Sequence, residues 1–439
     1  MKTSIRLYLG YLVLILTGLF VSESVYAEWF KGNLHMHTQW SDGQPMPEWA
    51  VAWYKENGYH FIVTTDHNTF QNDELRFKAW SYHCESPDLT LFEQENSRWK
   101  EVRGAGWNQL TQESIDETAA KFGEDSLKCI KDGDRVFYRL KTFDELVEQF
   151  CEPGRFLMIP GFEQTGGSGN DHQVHMNFIN VRSAFPYLQR ETPKQTIQDN
   201  LSFGRQCYEY NLQPWLFILN HPIWRYYDVS PSDLIQVPEV QFFELNNNGT
   251  TYPVHEKGWN PEKFWDAVNA FRLIEGKQIL LGIGSDDRHY YGSFEGGWTV
   301  VNADKLTAPA IIDALTRADF YASNGLDFET IKFDDASKTL SVKVKAEEGK
   351  AYRIDFIGTK KGFDQTVEII DLPAESPKPE RKLEVYSEDI GIILKSVDGT
   401  EAEYQMQDDD LYVRARVILS TEENKGLLPE PAAWTQPHR

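Results

Sequence analysis

Residues 33–43 read Asn33-Leu-His-Met-His-Thr-Gln-Trp-Ser-Asp-Gly43 and follow an apolar run, which places them at the end of a strand. Alternate strand residues share a face, so His35 and His37 point the same way and can hold one ion together. Asp42, in the turn that follows, adds a carboxylate. Working outward, Thr64-Thr-Asp-His-Asn68 ends a second apolar run and offers His67, with Asp66 able to ligate or to orient an imidazole from behind. Pro160-Gly-Phe-Glu163 brings Glu163 off another strand, and Asp171-His-Gln-Val-His175 offers His175 in preference to His172. Leu219-Asn-His-Pro222 presents His221 in a turn that Pro222 helps fix. Gly284-Ser-Asp-Asp-Arg-His289 carries Asp287 and His289 two apart, with Asp286 as the competing carboxylate. Taken singly, each has an ordinary explanation as a core or surface residue. In series, they claim six of the chain's 11 histidines, a concentration that points to a hydrolytic metal centre. Nine mixed nitrogen and oxygen ligands are too many for one ion and suit two or three, and imidazole with carboxylate fits Zn, Mn or Fe.

The runs that carry these motifs are Trp29–His35, Phe61–Thr65, Phe156–Gly161, Met176–Val181, Leu216–Asn220, Val240–Leu245 and Ile279–Gly284. They are short and rich in Val, Ile, Leu and Phe, as buried parallel strands are. Helices are expected over Pro47–Asn57, Thr192–Tyr210, Pro261–Glu275 and Ala308–Ala318, several opening on proline. Seven strands with intervening helices predict an α/β barrel over 28–325, with functional groups gathered at the C-terminal strand ends. Residues 72–155 interrupt the rhythm. They are too long for an ordinary connection and read as an inserted cap beside the site mouth. After Gly325 the pattern turns to alternating strands, which predicts a small β-sandwich-like domain over 326–420, followed by a polar, proline-rich flexible tail over 421–439.

Lys2 and Arg6 precede an apolar run from Leu7 to Val21, and Val25-Tyr-Ala27 supplies small residues at a cleavage position. This reads as a secretory signal removed after Ala27, too short for a span of about 20 residues. The expected location is secreted or periplasmic, with no membrane span after cleavage. Removing the segment takes away Lys2, Arg6 and Glu23, leaving 42 basic and 66 acidic residues and a formal charge of −24. Such a surface repels nucleic acid and anionic membranes, so neither is an expected partner. Cys84, Cys129, Cys151 and Cys207 form no C-x-x-C pair, which argues against a cysteine metal site. Two disulfides or buried free thiols remain open, as does the oligomeric state.

The six motifs resemble the PHP (polymerase and histidinol phosphatase) metallohydrolase family over roughly residues 29–325. Phe243-Glu-Leu-Asn246 and the close of Ala308–Gly325 are similar to its secreted CehA/McbA-like branch. The resemblance implies a distorted seven-stranded (β/α) barrel. It implies nine ligands, His35, His37, Asp42, His67, Glu163, His175, His221, Asp287 and His289, holding two or three divalent ions. It also implies phosphoesterase activity on a phosphomonoester or small phosphodiester, with a metal-bridging hydroxide as nucleophile. Three divalent ions against three carboxylates leave a net positive centre that attracts a phosphate dianion. Arg288 or Arg225 is placed to clamp a phosphate oxygen, and His255 to act as general acid. Two other readings stand beside this one. The same metal site can cut a carbamate or another small ester. Alternatively, the chain binds surface glycans without catalysis, through its 13 tryptophans and its β domain.

Overall fold

The structure is a computed structural model that describes residues 27–72, 99–103, 109–209, 212–224, 226–247, 255–291, 295–375, 378–420 and 431–439. The signal segment up to residue 26, Cys84, Trp80, Trp107, Arg225 and part of the cap lie outside the described residues.

Four of the helices form where capping chemistry places them. Pro47–Glu56 has proline in its first turn, with Glu48 near its positive end and Lys55 near its negative end. Pro193–Tyr208, Pro261–Ile274 and Ala308–Thr316 also open on proline. The side chains of Thr192, Asn260 and Thr307 accept the otherwise unpaired N–H groups of Gln195, Lys263 and Ala310.

The strands form two main sheets. A nine-stranded sheet runs Ile392–Asp398, Tyr352–Lys360, Asp410–Leu419, Ala432–Thr435, Phe320–Ser323, Trp298–Ala303, Glu28–Asn33, Phe61–Val63 and Leu157–Ile159. A five-stranded sheet runs Leu281–Gly284, Phe242–Asn246, Leu216–Leu219, His172–Ile179 and Gly161–Ser168. The α/β class holds, but the expected closed seven-stranded barrel does not: no strand ladder joins the two sheets, which share an apolar core of Phe61, Val63 and Val301 with Ile218, Phe242 and Ile283 and touch by isolated bridges, Met36 with Arg288 and His67 with Glu163. Two local causes are visible. Pro160, which has no N–H, separates Ile159 from Gly161, and the chain passes there from one sheet into the other. At the far side Gly284 N–H donates to the Thr299 side chain, 3.1 Å, rather than to a strand backbone.

Nor are the strands all parallel. Glu28–Asn33, Phe61–Val63 and Leu157–Ile159 are parallel, as are the pairs made by Phe242–Asn246. Gly161–Ser168 and His172–Ile179 instead form an antiparallel hairpin, because a three-residue turn can join only antiparallel strands.

The segment after Gly325 is tied into this framework. Phe328–Asp334, Thr339–Val344 and Glu401–Gln405 form a three-stranded sheet. Leu340, Val342, Val344, Ile354, Phe356, Val413 and Val417 share a core with Val300 and Tyr321. The layering is sandwich-like, yet one layer is the nine-stranded sheet itself. Ala432–Thr435 pairs with Phe320–Ser323 on one side and Asp410–Leu419 on the other. These residues correct the expectation of a flexible tail: Ala432, Ala433 and Trp434 are completely buried. A buried ionic lattice adds to the junction. Arg414 donates to Asp266 at 2.9 and 2.6 Å and to Glu262 at 2.7 Å, and Arg416 bridges Glu262 and Asp355.

The described part of the cap packs on the first metal motif. Leu110, Ile115 and Leu140 cluster with Trp40 and Met46, and Trp40 Nε1 donates to the Lys141 carbonyl, 2.8 Å. Cys129, Cys151 and Cys207 are free thiols, the first and last exposed, so these three form no disulfide. No helix among the described residues is long and apolar enough to cross a membrane.

Trp434→Ala should cost about 3–5 kcal/mol. In denaturant titration followed by fluorescence and far-UV circular dichroism, both probes should shift together. A loss under roughly 1 kcal/mol would show the final strand to be peripheral.

Candidate metal centre

Each motif delivers its side chain by a local device. After His37 the chain turns sharply, with Ser41 N–H and Gly43 N–H both donating to the Thr38 carbonyl at 2.9 and 3.0 Å. A Cβ on Gly43 would lie 2.3 Å from the His37 carbonyl carbon, so only glycine closes the turn that aims Asp42 back at the histidines. Asp66 holds the turn from below. It accepts from Thr38 N and Oγ1 (2.8 and 2.9 Å), Ser41 N and Oγ (3.1 and 2.7 Å) and Gln71 Nε2 (2.6 Å). Burial pushes the Asp66 carboxyl up against these donors. Its described bonds go to this turn and to Gln71, and one of its partners, Ser41 Oγ, lies 3.3 Å from His37 Nδ1, which puts Asp66 behind that imidazole.

The nine expected ligands converge. Their atoms form three groups, each within 4.8 Å: His37, Asp42, His67 and His289; His35, His37 and Asp287; and Glu163, His175 and His221. His35 Nε2 and His37 Nε2 stand 3.0 Å apart. Asp287 Oδ1 lies 3.2 Å from His35 and 3.0 Å from His37, while Oδ2 faces His221 at 3.7 Å. Glu163 divides its oxygens likewise. Oε1 faces His35, His175 and His221 at 3.5, 3.3 and 3.6 Å; Oε2 faces His37 at 3.6 Å and contacts His67. A carboxylate shared in this way has the disposition of a bridge between two ions.

Whether the residues fit metal ions is decided by their missing partners. Both Asp42 oxygens and both His175 ring nitrogens are buried without a hydrogen bond. Asp42 Oδ1 lies 3.4 Å from both His67 Nε2 and His289 Nε2, wider than a hydrogen bond and suited to ligands around a common point. Buried polar atoms left unpaired are costly, and a shared cation removes the cost.

The charges follow the crowding. Burial opposes charge on His35, but Asp287, Glu244 and Glu163 outweigh it and hold the ring well above its ordinary pKa. His67 is likewise raised against burial, by Asp42 and Glu163. Burial, then His289 and His67, depress His37 to about 3. Against burial, histidines hold Asp42, Glu163 and Asp287 well below the carboxylate range. The cluster thus carries deprotonated carboxylates with imidazoles of mixed charge, a set from which cations displace protons.

An outer layer that sequence reasoning missed fixes these groups. Glu244, fully inside the fold, accepts from His35 Nδ1 (2.6 Å), Ser285 Oγ (2.5 Å), His221 N (2.9 Å) and Asn247 Nδ2 (2.8 Å). Asn247 also donates to Asp287 Oδ2, 3.1 Å. Asn220 donates to Glu163 Oε1 (2.8 Å), and Thr165 Oγ1 donates to Glu163 Oε2 (3.0 Å). A carboxylate inside the apolar run Phe242–Asn246 was the available signal for Glu244.

The remaining candidates fall elsewhere. Asp286 accepts from Tyr54 Oη and the Gly296 and Glu295 N–H groups, which leaves Asp287 as the inward carboxylate. Arg288 alternates with Asp287 and His289 along the chain and is 6% exposed. Burial lowers its pKa against the carboxylates of Asp286 and Asp287. His255 N–H donates to Tyr227 Oη, and its Nδ1 accepts from Lys257 N, so its described contacts stay outside the cluster. His172 donates to the Asp228 carbonyl, 2.6 Å, and stands apart from the ligands. Trp224 covers the inner side, its ring 5.3 Å from His175 and 5.5 Å from His221. His67 and His289 are the partly exposed members, at 19% and 21%, and mark the open side.

No family model and no curated protein matches the chain. Among solved structures it is similar to a two-domain protein from Bacteroides vulgatus containing a predicted PHP-like metal-dependent phosphoesterase. The identity is 15% and the TM-score 0.36, over 89% of this chain and 90% of that one. It is also similar to an amidohydrolase from Chromobacterium violaceum with bound sulfate and no metal, at 12% identity and TM-score 0.25, over 60% and 88%. At these values neither likeness carries an argument, and the reading of the site rests on its own geometry.

Glu244→Ala removes the acceptor that orients His35. It should weaken divalent-ion affinity roughly 10–100-fold, read by competition with a chromogenic chelator. Unchanged affinity would reduce Glu244 to a structural residue.

Proposed function

We propose that this chain is a multinuclear metal-dependent hydrolase of PHP type, acting on a small phosphate ester. The observation that carries the reading is the convergence of six imidazoles and three carboxylates into three ligand groups with buried, unpartnered donor atoms. Six neutral imidazoles and three carboxylates contribute three negative charges. Three divalent ions therefore leave the centre positive and suited to an anionic ester in a chain whose overall charge is strongly negative. Zn, Mn and Fe all match this donor set.

When bound, such ions supply a water acidified toward neutrality and neutralise charge on the ester oxygens. The chain's own part is positional. Glu163 and Asp287 each face two sets of histidines and so fix the spacing between ligand groups. Glu244 holds the His35 ring by its Nδ1, leaving Nε2 for the cluster. Trp224 packs its ring against His175 and His221, and His67 and His289 are the most exposed of the histidines in the cluster. The leader-like segment before Ala27 supports an exported enzyme. The glycan-binding alternative draws no support from the surface, since no described tryptophan is exposed.

Mass spectrometry of the purified chain should find two to three equivalents of Zn, Mn or Fe. Turnover of phosphomonoesters should vanish on chelation and in His221→Ala. Metal without phosphate-ester turnover, but with hydrolysis of aryl carbamates, would redirect the reading to that bond. No metal after reconstitution would refute it.

A further inference from the structure

The loop from His221 to Ser232 carries a ligand of the third group and the tryptophan that covers it, and its backbone is strained. Tyr226 and Tyr227 are buried non-glycine residues at φ +103° and +56°. Such conformations persist only where the surroundings over-determine them. Part of those surroundings comes from far along the chain, from the hairpin of Glu368–Leu372 and Arg381–Val385.

The hairpin reaches the loop at four points. Arg381 and Asp228 form an ion pair at 2.7 Å with both side chains 1% exposed. The same Asp228 oxygen accepts from Gln173 N at 3.1 Å, two residues before the ligand His175, and Arg381 also donates to the Asp171 carbonyl at 3.1 Å. Ser232 N–H donates to Glu384 at 3.1 Å, and the Lys378 ammonium lies 4.9 Å from the centre of the Tyr226 ring. Leu372 and Leu383 are buried in the same apolar cluster as Tyr226, Tyr227, Val229 and Leu234. Asp228 thus links the strand bearing His175 to the loop bearing His221, and Arg381 neutralises it at that junction.

We propose that the 368–385 hairpin is part of the metal centre's machinery, with Arg381 a positioning residue that acts through Asp228 to set the His221–Trp224 loop over the third ligand group. This rests on the hydrolase reading and extends it. A separate segment of the chain thus governs the third ligand group and the tryptophan packed on it. One guanidinium nitrogen, Nη2, donates to both the Asp228 carboxylate and the Asp171 carbonyl, while Nη1 donates to the Glu380 carbonyl, so the cation ties the loop to the His175 strand at a single point.

The test uses the full chain and Zn2+ alone as probe, with chelator competition for affinity, p-nitrophenyl phosphate for KM and kcat, and thermal unfolding for integrity. Arg381→Met and Asp228→Asn should weaken the least tightly held zinc about tenfold and raise KM more than they lower kcat. Arg416→Met, which removes the Glu262 and Asp355 contacts of the strand Asp410–Leu419 and leaves Arg381 and Asp228 in place, should lower the unfolding midpoint while zinc affinity and KM stay put. Should Asp228→Asn fail to fold, Glu384→Gln, at the half-buried Ser232 contact, gives the same comparison. Wild-type zinc affinity and KM in the hairpin variants, or equal shifts in Arg416→Met, would overturn the proposal alone. A wild-type chain that takes up none of Zn, Mn or Fe would overturn the hydrolase reading and this one with it.

Discussion

Nine donor groups packed into one buried volume are the constraint on which the rest of the structure depends. An imidazole offers at most one donor when neutral and a carboxylate offers none, so six histidines and three acids cannot satisfy one another by hydrogen bonding alone. The result is visible in the bare oxygens of Asp42 and the bare nitrogens of His175. A set held in this state tends to spring apart or to take up protons. Its geometry therefore has to be imposed from outside. Glu244, Asn220, Asn247, Thr165 and Asp66 do so, each spending most of its hydrogen-bonding capacity on a ligand or on the turn that carries one.

Backbone conformation takes up the remaining strain. Asn68 and Asp287 adopt φ near +50°, unusual for non-glycine residues, directly beside or at ligand positions. Both are anchored. Asn68 exchanges hydrogen bonds with Thr165 across the two sheets, and the Asp287 N–H donates to the His35 carbonyl. The two isolated bridges between the sheets fall at these same places. The backbones of the two sheets thus bridge beside the clustered residues while their apolar faces share one core, so convergence of these groups does not demand a closed ring of hydrogen bonds.

That these nine residues come together was legible in the sequence because most stand where an apolar run stops, although Glu163 and His175 lie within strands of the hairpin. Pairing partners were not legible. Nothing local in Gly161–Ser168 distinguishes a strand from a glycine-rich loop; its three-residue connection to His172–Ile179 settles the matter in space. Ala432–Thr435 is four residues beside prolines, too short to carry a period, and it becomes a strand only because Phe320–Ser323 and Asp410–Leu419 leave a gap of one strand's width. Asp66 stands next to His67 in sequence, yet its bonds run to the Thr38–Ser41 turn, a partner that no local pattern announces.

The same molecule shows how charge that holds a fold differs from charge that awaits a ligand. Around Arg414, the carboxylates of Asp266 and Glu262 meet guanidinium donors at 2.6–2.9 Å, and Tyr412 Oη adds another at 2.7 Å. Each of these carboxylates is answered from within the chain, and the lattice fixes the C-terminal segment in place. In the cluster the corresponding separations open to 3.4 Å at Asp42, with no donor directed at either oxygen. Burial is similar in both places, so burial alone does not distinguish them. What distinguishes them is whether the donors present can complete the acceptors, and by that measure the acids of the cluster are set for something the chain does not itself contain.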